Sequence, residues 1–122
     1  RVVDRHGVLL PRSAWSKSLP LFAGKVERPA GRTGTAWGDA QIEAVAKTVS
    51  FLMSESIALQ GLTFDIDKGL VRIQTAKQTF NWGRPPGDEK TGEAKATIKV
   101  ARLRDAMQNP TAPKVDLSQG NP

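Results

Sequence analysis

Cysteine is absent from the 122 residues, and histidine occurs once, at His6. The first absence removes disulfide frameworks, thiolate metal sites and cysteine nucleophiles together. A single imidazole cannot assemble a His/Cys zinc site, and beside Gly7 in a polar loop His6 reads as a surface residue, so no metal and no cofactor is expected. Long apolar runs are missing too. A membrane-spanning helix needs about 20 consecutive apolar residues, whereas the apolar stretch Thr48 to Ser54 contains Ser and Thr and stops at Glu55. The catalytic signatures G-x-S-x-G, S-x-x-K and H-E-x-x-H do not occur, and Asp65 and Asp67 lie on one strand face beside Lys68 with no sign of a cleft. No catalytic residues are assigned, and the chain reads as a binder and not an enzyme.

Two ligand-loop patterns fail on inspection. Taking Gly69 as the sixth position of a calcium loop puts Phe64 at position one and Thr75 at position twelve, where carboxylates are required. Gly24-Lys25 is followed by Val26 where a phosphate-binding loop needs Ser or Thr, and Gly31-Arg32-Thr33-Gly34 follows Arg28-Pro29 instead of joining two helices.

A hydrophobic share of 39% and a charged share of 25% are compatible with a folded chain, and the length suits one globular domain over residues 1–122. Lys and Arg outnumber Asp and Glu by 18 to 12, which favours an acidic partner of some kind. Val2-Val3 and Val8-Leu9-Leu10 flank Asp4-Arg5-His6-Gly7 as a β-hairpin. A long irregular connection rich in Pro and Gly follows, with Leu19-Pro20-Leu21-Phe22 as an inward apolar anchor. Asp39 is a suitable N-cap for a helix whose face carries Ile42, Val45, Ala46, Val49, Leu52, Met53 and Ser56, and Gly61 is placed to end it. Leu62 to Ile66, Leu70 to Thr75 and Gln78 to Trp82 alternate as a three-strand meander. A second helix, from about Glu93 to Gln108, buries Ala96, Val100, Leu103 and Met107, and Lys114-Val115-Asp116-Leu117 forms a closing strand. The expected fold class is α+β: a mostly antiparallel sheet, made of the hairpin, the meander and a final edge strand, with two helices packed on it.

Four segments, read in order, resemble the C-terminal extracytoplasmic β domain of FtsQ/DivIB-type cell-division proteins. They are Val3-Asp4 with Gly7-Val8, Leu19-Pro20-Leu21 with Gly24, Leu70-Val71-Arg72-Ile73 leading to Thr79-Phe80-Asn81-Trp82-Gly83, and a basic helix from Lys95 to Met107 leading to Lys114-Val115-Asp116-Leu117. The resemblance implies a scaffold on the periplasmic side of the cell inner membrane that recruits the small coiled-coil proteins FtsB and FtsL. It takes no small-molecule substrate. The chain starts at Arg1 without a Met or a signal pattern, so a preceding membrane span is expected in a longer product.

The closing strand is short, follows Pro113 and precedes a polar tail, which places it at a sheet edge able to accept an added strand. Val115, Asp116, Leu117, Ser118 and Gln119 are therefore the expected docking segment, with Lys99 and Arg102 supplying charge to an acidic partner peptide. The competing reading is a nucleic-acid or anionic-polymer binder, based on the net charge of +6, on the Gly31 to Gly34 loop and on Lys95, Lys99 and Arg102 at i, i+4 and i+7 along one helix face.

Overall fold

In the computed structural model the described residues are 2–3, 9–10, 20–22, 34 and 40–120. The loop holding His6, the residues Trp15, Leu19, Gly24 and Trp37, most of the glycine loop around Gly31, and the expected cap Asp39 lie outside them. The expected hairpin is present as β1 (Val2–Val3) paired antiparallel with β2 (Leu9–Leu10). The main sheet has five strands in the order β3 (Leu21–Phe22), β4 (Thr63–Asp67), β5 (Leu70–Gln74), β6 (Thr79–Gly83) and β7 (Lys114–Asp116).

The meander β4–β5–β6 is antiparallel, as its alternation requires, but both outer strands run parallel to their neighbours. The sheet is thus mixed, which corrects the expected mostly antiparallel arrangement. The physical reason is connectivity. A helix intervenes before β4 and another before β7, and a chain that crosses over by way of a helix returns in the parallel sense. Between β4 and β5 a two-residue turn carries Lys68 at φ 52° and Gly69 at φ 81°, the doubly positive geometry of a tight hairpin whose twist matches the strands. The β5–β6 register shifts at Val71/Arg72, so that Val71 pairs with Gly83 and Arg72 with Asn81, leaving Trp82 as the extra residue. At the other edge Phe22 packs on the core as expected of the apolar anchor, but Leu21 is 62% exposed and does not turn inward.

One face of this sheet holds Phe64, Val71, Ile73, Phe80 and Trp82, all fully buried, and both helices contribute to the same apolar cluster. Helix α1 (Ala40–Ser54) buries Ile42, Val45, Ala46, Thr48 and Leu52. Met53, expected inside, is 61% exposed, and Thr48 takes an inner position in its place. The buried stripe drifts around the helix toward its C-terminal end: Leu52 points in, and Met53, about 100° further round, points out. Thr48 tolerates burial because its Oγ1 donates to the Ala44 carbonyl at 2.9 Å.

The helix also ends earlier than Gly61. Ser56 adopts φ 60°, its N–H donates to Met53 O at 3.0 Å, and the Ile57 N–H donates to Leu52 O at 3.0 Å. That paired closure is the left-handed helix stop usually occupied by glycine, and Ile57 packs against the core cluster to which Leu52 belongs. Arg104 of the second helix places its guanidinium on the Glu55 carbonyl and lies 3.5 Å from the Glu55 carboxylate, satisfying an end carbonyl of α1.

Helix α2 (Ala96–Gln108) begins three residues after the expected Glu93. Glu93 is occupied elsewhere, bridged antiparallel to Gln119. The Ala96 N–H donates instead to the Glu89 carboxylate at 3.2 Å, an acidic cap from outside the helix. Ala96, Val100 and Leu103 are buried and Met107 packs partly on the core, as the spacing predicts.

Candidate partner-docking edge

Among the described residues strand β7 pairs on one side only, with β6, through the register Thr79–Lys114, Phe80–Val115 and Asn81–Asp116. The Thr79 N–H donates to Pro113 O at 2.8 Å and the Leu117 N–H to Asn81 O at 2.9 Å. Successive residues of a strand direct their backbone groups to opposite sides, so Pro113, Val115 and Leu117 face β6 while Lys114 and Asp116 face outward. Among the described residues no strand lies beyond them. An open groove of ≈ 290 Å³ runs along this strand, lined by Thr79, Asn81, Lys114, Val115 and Asp116.

The expected docking segment is therefore divided. Lys114 and Asp116 are exposed and Val115 is half-buried against the core. Leu117 is fully buried, and from there on the edge is closed. The Ala94 N–H donates to Ser118 O at 3.0 Å, and Arg102 Nη1 donates to Leu117 O at 3.0 Å and to Gln119 O at 2.6 Å. The Ser118 N–H and hydroxyl both donate to Asp116 Oδ1, at 2.9 and 2.6 Å, and Asn81 Nδ2 approaches the same oxygen at 3.3 Å. Leu117, Ser118 and Gln119 are thus a fastened tail, and Arg102 is its fastener.

Lys99 also departs from the expectation. Its side chain has no exposure, and its Nζ contacts the Glu93 carboxylate, the Arg84 carbonyl at 3.2 Å and the Trp82 ring at 5.4 Å from the centroid. A buried ammonium needs a counter-charge, and Glu93 provides it. Of Lys95, Lys99 and Arg102 only Lys95 is exposed, with Arg102 half-buried and Lys99 buried, so the phosphate-binding stripe that motivated a nucleic-acid reading is not assembled as a surface. Burial pushes the Glu93 carboxyl upward, but bonds from Lys99 and from the backbone N–H groups of Arg84 and Lys90 outweigh it and hold the group below its ordinary value. Gly83, at φ 95°, floors the cluster: a side-chain carbon there would sit 2.8 Å from Glu93 Oε2 and 2.9 Å from Ser118 Cβ. Glu93, Gly83 and Asn81 escaped the site reading from sequence. Their roles depend on the crossover that brings the loop before α2 against the chain's end, and no local spacing records that.

The sheet face opposite the core is polar. Arg72 grips Asp65 with two bonds of 2.8 and 3.1 Å, and Gln74 Nε2 reaches the same carboxylate at 3.4 Å. The bond and charge of Asp65 raise the Arg72 pKa. Asp65 is thus committed to an ion pair. Among the described residues no group of three or more His, Cys, Asp or Glu is placed to hold a metal, and no helix is long and apolar enough to cross a membrane. Comparison of the chain with protein-family models, with curated proteins and with solved structures returns no match.

Proposed function

We propose that this domain is a non-catalytic docking module of the FtsQ/DivIB type, holding small single-span division proteins of the FtsB/FtsL kind on the outer edge of β7. The observation that carries the proposal is the open edge itself: Lys114 and Asp116 present backbone donors and acceptors outward beside the groove. An added strand would satisfy those groups, and pockets for alternate side chains would give it selectivity. The docking residues under this reading are Lys114, Val115 and Asp116 with Thr79 and Asn81, while Arg102 and Lys99 act from behind. The sequence resemblance supplies the partner class and the periplasmic, inner-membrane setting.

The test uses the extracytoplasmic segments of the FtsB- and FtsL-type proteins from the same genome, titrated onto the purified chain. Lys114→Pro removes an outward N–H that makes no bond to β6, and Pro113 already shows that the strand entry accommodates proline. Capture should be lost while Tm changes little. Unchanged capture by the folded variant would move the contact off this edge.

A further inference from the structure

The open part of the β7 edge is three residues long and reads Lys114-Val115-Asp116, a basic, an apolar and an acidic residue in order. Its outward backbone groups belong to Lys114 and Asp116, and the Glu93–Ala94 segment closes the edge at Ser118. We infer that the natural occupant of this edge, when no other strand fills it, is a second copy of the same strand, paired antiparallel about a two-fold axis at Val115. The inference uses the same edge as the docking proposal but stands without it.

Register and charge together select the pairing. In an antiparallel pair, residues whose backbone groups face each other exchange both hydrogen bonds and lie directly opposite. Three two-fold registers are open to Lys114 and Asp116. Centring on Lys114 sets two ammonium groups against each other, and centring on Asp116 sets two carboxylates together while placing Lys114 opposite Ser118, whose carbonyl Ala94 already occupies. Centring on Val115 uses both outward residues of each copy, makes four backbone hydrogen bonds and puts each Lys114 opposite the other copy's Asp116. Like charges directly opposite destabilise a strand pair and opposite charges stabilise it, so the third register is selected. Lys114 and Asp116 project to the groove face with Thr79 and Asn81, while the two Val115 side chains meet on the core side, where each already packs against its own domain. The contact joins the two five-stranded sheets into one of ten and covers the docking edge. It is small, so it forms at high local concentration and yields to a longer partner strand.

Charge exchange tests this with the chain alone. Lys114→Asp makes the edge all acidic and Asp116→Lys makes it all basic, so each single variant should weaken self-association by about tenfold or more, with two opposite-charge pairs becoming like-charge pairs. An equimolar mixture of the two, and the double variant Lys114→Asp/Asp116→Lys, should both restore it. The readout is sedimentation velocity up to about 1 mM, with protection of the Lys114 and Asp116 amides from hydrogen exchange as a second measure. Asp116 also holds the Ser118 turn, so folding of each variant is checked by circular dichroism. Should Asp116→Lys melt early, Lys114→Pro must be monomeric in its place. A wild-type chain that stays monomeric through this range would overturn the inference. So would single variants that dimerise as wild type does, or a mixture and double variant that are folded yet remain apart. Because no division protein enters the experiment, its failure leaves the docking proposal standing, and failure of partner capture leaves this one standing.

Discussion

Replacing Glu93 with Gln leaves the Lys99 ammonium buried beside a neutral amide. The Lys99 side chain has no exposure, and besides Glu93 its Nζ meets, among the described residues, the Arg84 carbonyl and the Trp82 ring face. Removing one partner of such a pair costs about 3–5 kcal/mol, and the retained amide oxygen places Glu93→Gln near the lower figure, about 3 kcal/mol. Lys99→Met is milder. It keeps the buried stem, and the carboxylate left behind is 11% exposed and still accepts from the Arg84 N–H at 3.0 Å and the Lys90 N–H at 3.3 Å, so the cost is about 1–2 kcal/mol. The double variant carries no charge in the cluster and should lie within about 1 kcal/mol of wild type, since buried pairs exchanged for neutral groups of similar volume are often neutral. Urea denaturation followed by circular dichroism gives all three values, and the non-additivity of the cycle isolates the pair. The pH dependence fixes the origin. A carboxyl held below its ordinary value contributes stability that is complete above the unfolded pKa of about 4.3 and is lost as pH falls through the folded one, so the gap between wild type and Glu93→Gln closes in acid. A cost below about 1 kcal/mol for Glu93→Gln, a larger cost for Lys99→Met, or a gap that persists in acid would refute the reasoning.

Leu52, fully buried between α1 and the sheet, should lose about 2–5 kcal/mol on truncation to Ala; a value near that of a surface site, about 0.5 kcal/mol, would mean that this helix face is misplaced. Ser56→Gly should stabilise by about 0.5–1 kcal/mol, because the position already holds a left-handed φ that costs a side-chain-bearing residue more than glycine. A lower urea midpoint for that variant would argue against the helix stop at Ser56.

The elements carrying a regular period were legible from residues alone. Ile42, Val45, Leu52 and the alternating Phe64, Val71, Ile73 and Phe80 all fall inside, because burial on one face imposes a period that local sequence must satisfy. Boundaries and stops were less so. Gly61 looked like the terminator since glycine adopts positive φ freely, yet Ser56 takes that role, and it can do so because two backbone bonds and the packing of Ile57 on the core hold the turn together. Strand direction was not legible either: alternation identifies a strand equally well in parallel and antiparallel pairing, and only the helical crossovers decide.

Lys99 shows the limit most sharply, and it also connects the buried chemistry to the edge. Helical spacing places Lys95, Lys99 and Arg102 on neighbouring rows, but spacing does not say whether a row faces water or protein. Lys99 lies one residue before Val100 and four before Leu103, on the flank of the buried stripe, where a long apolar stem can enter the core if a carboxylate waits at its end. Glu93 waits there because its own backbone is bridged to Gln119 and its side chain lies under Gly83. The same bridge, with Ala94 on Ser118 and Arg102 on Leu117 and Gln119, fastens the tail and leaves Lys114 to Asp116 as the open stretch of β7. A strand of three residues tied at one end through Pro113 to Thr79 and at the other through the Glu93 cluster has little freedom left to lose when a second strand arrives. The ordering cost that opposes association is in that measure already met by the fold, so a short edge can hold a partner that the same three residues in a loose tail could not.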